Sequence, residues 1–385
     1  MKTEWKQVPF EEAIEHVTYT NKIQRKDFLE EGEFPIVSQE ESFLNGYWDK
    51  AADLFKVERP VVLFGDHTRV LKYIDFDFVL GADGVKILKP KPFLLPKFFY
   101  YQLLSADIRQ LGYARHYRLL KELKVAYPIL PEQQRIVTIL DEAFDGIAAA
   151  TANAEKNLQN AQEVFESHLQ SIFNSRGSGW ERVQLETLLE RGWIESHLDG
   201  NHGGDYPRKE EFITQGVPYI SANCLDGDRL DMSRAKYLSH ERAALLRKGI
   251  AKNNDVLFAH NATVGPVSIL QTVEPKVILG TSLTYYRCNS DHILPMYLAH
   301  YMRSFGFKSQ YTSIMRQSTR NQVPITKQRE FYHVIPPVNE QRVIIDQLDG
   351  IMETSQRLEN ILQQKLTALD ELKQSLLHRA FNGNL

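Results

Sequence analysis

The sequence predicts an α+β protein: two similar globular lobes separated by two long antiparallel coiled-coil helices, with an internal pseudo-twofold repeat. Three observations carry this. Segments of the first half recur in the second at an offset that grows and then stays fixed. Each half ends in an apolar stripe of helical period. The stretches before those stripes are short apolar and aromatic runs broken by Gly, Pro, Asn and Asp, which are strand and turn signals.

The repeat begins with WKQVPFEEAIE (5–15) against WERVQLETLLE (180–190), Trp5 onto Trp180 and Val8 onto Val183, at an offset of 175. GEFPIVS (32–38) matches GVPYISAN (216–223) near 183. VVLFGDHTRV (61–70) matches DVLFAHNATV (255–264) at 194, and VLGADGVKIL (79–88) matches ILGTSLTYYR (278–287) at 199, Gly81 onto Gly280. PILPEQQRIVTILD (128–141) then matches PPVNEQRVIIDQLD (336–349) at 208, and that offset holds to SIFN (171–174) against RAFN (379–382). A growing offset means insertions in a lobe, and a fixed one means a segment of constant length. The chain therefore divides into a first lobe (1–130), a helix (131–175), a second lobe (176–337) and a second helix (338–385).

Each lobe reads as a curved sheet with a few helices. Strand runs fall at Val61–Phe64, Phe76–Leu80, Val85–Leu88, Asp255–Phe258, Val277–Leu279 and Ser282–Arg287. Helices open at Pro96 and Pro295, since proline suits a first turn. In the constant segments Ile136, Leu140, Ala143, Ile147, Ala154, Leu158, Ala161, Phe165, Leu169 and Ile172 keep one stripe, as do Ile344, Leu348, Ile351, Leu358, Leu362, Leu369, Leu372, Leu376 and Ala380. At ~1.5 Å per residue each helix is about 60 Å long. Two equal narrow stripes bury each other as an antiparallel pair; the alternative is that each packs on its own lobe. NSRGSG (174–179) reads as a hinge.

Composition bounds the class. Apolar residues make up 43% and charged residues 25% of 385, ordinary for a globular chain and too long for one core. Cys224 and Cys288 are too few for a disulfide framework or a structural metal site. No run approaches a membrane span, and MKTEWKQVPF has no signal-peptide core, so a soluble, cytoplasmic protein is expected. The net charge of −3 argues against nucleic acid until it is divided. Residues 1–130 hold 19 basic and 19 acidic side chains, and 176–337 hold 20 and 16. The helical segments hold 2 and 5 basic against 7 and 7 acidic. The lobes are thus positive and the helices acidic. Charge concentrates in Arg303–Arg329, with Lys308, Arg316, Arg320 and Lys327, no acid from 304 to 328, and Phe305, Phe307 and Tyr311 interleaved. The matching run Arg109–Lys124 carries Arg115, His116, Tyr117, Arg118 and Lys121 against Glu122 alone. Local fields of this kind suit phosphate.

Catalytic motifs are mostly missing. There is no phosphate-binding G-x-x-x-x-G-K-[ST] loop and no dinucleotide fingerprint. Glu371-Leu372-Lys373 and Glu122-Leu123-Lys124 have a nuclease-like spacing without a Pro-Asp partner. Asp66-His67 could serve as an acid–base or metal pair, and His202-Gly203-Gly204 resembles an esterase oxyanion loop, but neither has a nucleophile in context. No catalytic or metal-ligating residue is assigned. Loops with Asp, His, Thr and Arg together have another use, reading donors and acceptors on base edges. The candidates for DNA contact are Asp66, His67, Thr68, Arg69, Arg115, His116, Tyr117, His260, Asn261, Arg316, Thr319, Arg320 and Asn321.

The order lobe–helix–lobe–helix resembles the specificity (S) subunit of type I DNA restriction-modification systems, a bacterial or archaeal defence. Its marks are W-x-x-V before each lobe, PEQQRIV (131–137) and NEQRVII (339–345) at the helix starts, Leu140-Asp141 and Leu348-Asp349, and Ala-Phe-Asn-Gly at 380–383. The first helix departs from this, ending SIFNSRG. The resemblance implies that each lobe is a target recognition domain for half of a bipartite, asymmetric double-stranded DNA sequence. It implies that the helices dock two methyltransferase (M) subunits, joined by restriction (R) subunits. It also implies no cofactor in this chain, with S-adenosylmethionine, ATP and magnesium on the partners. Alone, the chain is expected to be a monomer without membrane attachment. The competing readings are a hydrolase or nuclease using Asp66-His67, and a protein-only oligomerisation adaptor.

Overall fold

The computed structural model describes residues 5–18, 21–82, 84–112, 114–174, 177–316, 321–382 and 385. The chain forms two compact units, residues 1–156 with 362–385, and residues 157–361. In the first unit the strands used below are β1 (Ile14–Glu15), β2 (Phe34–Val37), β3 (Leu54–Phe55), β4 (Val61–Gly65), β5 (Leu71–Ile74), β6 (Phe78–Gly81) and β7 (Val85–Pro90). In the second they are β8 (Ile194–Asp199), β9 (Val217–Ile220), β10 (Ile250–Ala251), β11 (Val256–Asn261), β12 (Thr263–Ile269), β13 (Val277–Leu279) and β14 (Leu283–Cys288). The helices are α1 (Pro96–Ser105), α2 (Tyr117–Lys121), α3 (Leu130–Asn174), α4 (Pro295–Arg303), α5 (Phe305–Arg316), α6 (Ile325–Gln328) and α7 (Val338–Phe381).

The repeat extends to strand register. An antiparallel sheet runs β1-β7-β4-β5 in the first lobe and β8-β14-β11-β12 in the second. Leu63 pairs with Ile87, and its counterpart Leu257 with Tyr285. A further mixed sheet pairs β2 with β6 in parallel and β3 with β6 antiparallel, as β9 and β10 pair with β13. The parallel pairs are why VLG and ILG look like continuous apolar runs, since such strands are covered on both faces. Each lobe is therefore built on separate sheets, where the sequence suggested one curved sheet. A two-stranded ribbon closes each lobe onto its helix: Lys6–Pro9 pairs with Lys124–Tyr127, and Glu181–Gln184 with Tyr332–Ile335.

The helices α3 and α7 contribute to both units, and within each unit their segments are antiparallel. In the first, Ile136, Val137 and Leu140 share a core with Leu377 and Ala380, and Lys373 lies over the Phe144 ring. In the second, Leu169 and Phe173 join Ile344 and Leu348, and Ser355 Oγ donates to Ala161 O at 2.9 Å. Each lobe is capped by the far end of a helix. Phe381 packs on Phe98 of α1, and its counterpart Phe173 packs on Tyr297 of α4. The Phe-Asn that ends both stripes thus has a packing reason.

The glutamines at the helix starts have a hydrogen-bonding one. Gln133 Oε1 accepts from Leu95 N (2.8 Å), while Nε2 donates to Phe93 O and Pro128 O (both 2.9 Å). Gln341 repeats this with Leu294 N (2.8 Å), His292 O (2.7 Å) and Pro336 O (2.9 Å). Buried backbone groups need such partners. The Leu-Asp pairs follow one turn or two later. Leu140 and Leu348 are fully buried, Asp141 accepts from Tyr101 and Lys97 of α1, and Asp349 accepts from His300 Nε2 of α4 at 2.8 Å.

Candidate nucleic-acid interface

In each lobe the four-stranded sheet gathers several of its candidate residues at one end. A turn links the central strand to the next: 66–70 between β4 and β5, and a tight reversal at Ala262 between β11 and β12. Both turns need a left-handed residue, Arg69 at φ 64° and Ala262 at φ 65°, a conformation uncommon for side chains other than glycine and asparagine. The segment before the short helix is then stitched to the turn. His116 N donates to Asp66 O (2.8 Å), and Val323 N to His260 O (2.8 Å). Asp66 N donates to Gly84 O (2.7 Å), as His260 N does to Ser282 O (2.9 Å). The fold therefore brings 66–69 to 115–117, and 260–261 to 321, residues far apart in sequence.

Several expected contact residues turn inward. The Asp66 carboxylate accepts from Tyr117 N (2.7 Å) and caps the start of α2. His116 is 1% exposed; Leu111 N donates to its Nε2 (3.1 Å), leaving Nδ1 to donate to Asp66 O (3.0 Å). His260, also 1% exposed, donates through Nδ1 to Val323 O (3.0 Å). Burial pushes the His260 imidazole below its ordinary pKa, against the pull of that carbonyl and of Asp199. Asp66, His116 and His260 thus hold the turns in place instead of facing a base. Their polarity suggested a surface because a loop residue that caps a backbone group has the same composition as one that reads DNA.

Their neighbours remain at the surface. Thr68 is exposed, although its hydroxyl also donates to Gln39 O (2.6 Å). His67 N donates to Gln39 Oε1 (3.2 Å), so Gln39, which sequence reasoning passed over, ties a second loop to the turn. Lys72 does the same from β5, donating to Ser42 O (2.5 Å); burial lowers its pKa to about 8 against the attraction of Glu40. Arg69 is half-buried and donates to Ile108 O (2.9 Å). Arg115 and Arg118 are exposed, and among the described residues neither has an ion pair. The ammonium groups of Lys86 (5.3 Å) and Lys121 (5.6 Å) both lie over the Tyr117 ring. In the second lobe Asn261 is half-buried, and Asn321 is exposed with Nδ2 donating to Ala262 O (2.6 Å). Arg316 is exposed at the end of α5; Thr319 and Arg320 lie outside the described residues.

The basic run of the second lobe is largely consumed by its own fold. Arg303 donates to Val267 O (3.0 Å) and Asp228 O (3.3 Å). Lys308 pairs with Glu166 (3.3 Å), Lys327 with Glu330 (2.8 Å) and Arg329 with Glu186 (3.3 Å). The interleaved Phe307 and Tyr311 are buried four residues apart on α5, a core face and not a stacking platform. Among the described residues no three His, Cys, Asp or Glu side chains gather to hold a metal. Among the described residues no helix is long and apolar enough to cross a membrane.

The family model for the type I restriction modification DNA specificity domain matches residues 2–159 and, a second time, residues 178–368. The chain belongs to this family. The two matches fall on the two halves of the repeat. As a specificity subunit the chain is non-catalytic and carries the recognition domain twice. It is 23% identical to the type I restriction enzyme EcoR124I/EcoR124II specificity subunit of Escherichia coli over 85% of this chain and 81% of that subunit. It is 18% identical to the EcoBI specificity subunit of Escherichia coli over 70% of this chain and 60% of that one. Among solved structures, a chain of a type I restriction-modification system, studied for complex assembly and conformational transition, matches with a TM-score of 0.73 at 17% identity, over 100% of both chains. The HsdS subunit from Thermoanaerobacter tengcongensis matches with a TM-score of 0.54 at 17% identity, over 99% of this chain and 97% of that one. At these identities the structural likeness concerns the fold.

Proposed function

We propose that this specificity subunit reads a bipartite, asymmetric DNA target, one half with each lobe (residues 1–130 and 176–337), and docks two methyltransferase subunits through the helices between. The observation that carries the reading is the repeated sheet end. In each lobe a turn with one left-handed residue, held by matching stitching hydrogen bonds, presents different side chains, which suits two unlike half-sites. The residues proposed to face the duplex are His67, Thr68, Arg69, Arg115 and Tyr117 in one lobe, and Asn261, Arg316, Thr319, Arg320 and Asn321 in the other. Arginine pairs with guanine, and asparagine with adenine. The complex acts in the cytoplasm. Restriction subunits, and S-adenosylmethionine, ATP and magnesium, belong to the partners, and the chain alone is a monomer.

Methylome sequencing of cells carrying this chain with its methyltransferase partner tests the reading. One split sequence, methylated only when both are present, is the expected result. Methylation indifferent to this chain would refute it.

A further inference from the structure

Phosphate contact in the second lobe needs free cations, and of the Arg303–Arg329 run Arg303, Lys308, Lys327 and Arg329 are engaged within the fold. We propose that Arg247 and Lys248, on the turn before β10, are the phosphate anchor of this lobe's duplex-binding face. The inference rests on the DNA reading above and names the residues that serve it.

Both side chains are exposed, and among the described residues neither has an ion pair. Their turn is fixed to the same sheet end as the candidate residues. Asn201, 2% exposed and just past the end of β8, donates through Nδ2 to Lys248 O at 2.7 Å. Leu279 N donates to Gly249 O at 2.7 Å. Gly249 sits at φ +62°, and a Cβ there would lie 2.8 Å from Gly200 Cα, so the two backbones touch and only glycine fits. From β13 the path continues through Ser282 O, which accepts from His260 N (2.9 Å), to His260 O, which accepts from Val323 N (2.8 Å). The cation pair is thus connected by backbone to Asn261 and Asn321. Asp199, the last residue of β8, is engaged by His202 at 2.6 Å.

The first lobe has the same tether with other chemistry. Asn21 Nδ2 donates to Asp53 Oδ1 (2.7 Å) on the turn before β3, where Asp53 is buried and Lys50 lies over the Trp48 ring (5.4 Å). That turn offers no exposed cation pair, and Arg115 and Arg118 take the role on the other side of the turn 66–70.

The experiment measures duplex binding by the assembled complex between about 50 and 200 mM salt, on the methylated target and on an unrelated sequence. Losing two phosphate contacts in Arg247→Ala/Lys248→Ala should flatten the slope of log K against log salt by roughly 1.8, at ~0.9 per phosphate, and weaken both duplexes alike. Arg247→Lys/Lys248→Arg should keep the wild-type slope, and so should Lys327→Ala/Arg329→Ala. An unchanged slope in the alanine pair overturns the proposal, as does a loss confined to the target. A wild-type complex that binds no duplex would instead remove the DNA reading itself.

Discussion

The two lobes share a skeleton and differ in what they bury on it. At the short helix the first lobe places Leu120, in a core with Val62 and Leu88. At the equivalent position the second lobe places Gln328, whose Oε1 accepts from Thr284 Oγ1 (2.9 Å), Tyr286 OH (3.0 Å) and His197 Nε2 (3.1 Å). Tyr286 stands where Leu88 does, across the same strand pair. At the helix latch both lobes keep a polar bond but change its donor, with Tyr101 bonding Asp141 and His300 bonding Asp349. Backbone register survives a change from apolar packing to a polar network because the ladder does not depend on side chains, whereas each buried polar group needs its own partner. Surface charge differs in the same way, each lobe leaving its free cations on a different loop.

If the helix docking is equivalent in the two units, equal damage should follow equal substitution. Leu140→Ala and Leu348→Ala each remove a fully buried leucine from a core shared by lobe and helix, and each should cost about 2–5 kcal/mol. Urea unfolding reads this, and a cost in one lobe only would break the equivalence.

Acid should separate the lobes. Burial pushes His197 down to about 4 and His333 down to about 3, and lowers His260 and His300, all in the second lobe. Because these folded values lie below the unfolded one, their contribution to stability is present above about pH 6.5 and is lost as pH falls through the folded values. For His197 the full loss is about 3 kcal/mol, near 2 of it by pH 5. The fall in unfolding free energy between pH 7.5 and 5, read by urea unfolding, should be smaller in His197→Gln by about that amount. An unchanged pH dependence in the variant would count against the argument.

Gln133→Ala and Gln341→Ala sharpen the comparison at lower cost. Each orphans backbone groups that the amide serves, at about 1–3 kcal/mol. The bonds match partner for partner, so the two variants should agree within experimental error in the same unfolding assay. A twofold difference would mean that one latch is carried by its neighbours.

Much of this was legible because it repeats. The fixed offset of 208 marked the helices, and the paired Gln and Leu-Asp positions stood out before their partners were known. Other features were hidden for a physical reason. Arg329 and Glu186 are 143 residues apart and Lys308 and Glu166 are 142 apart, so no local pattern shows that these cations are engaged. Asp66 and His116 lie in loops, where inward and outward polar residues look alike. The spacing of Phe307 and Tyr311 carries a signal for α5, but the basic residues around them mask it.

The smallest effect concerns recognition and bears on one lobe alone. Arg115 is exposed beside the turn held by Asp66, with no ion pair among the described residues. Removing it should leave folding untouched, because no packing or pairing is lost. If it contacts a base, Arg115→Ala should cost about 1–3 kcal/mol of affinity and relax the methylated sequence at one position of one half-site, leaving the other half intact. If it contacts phosphate, binding should weaken on every duplex, and the salt slope should fall by roughly 1. The methylome of the variant tells these apart. A change in the half-site assigned to the second lobe would contradict the division of reading between the two lobes.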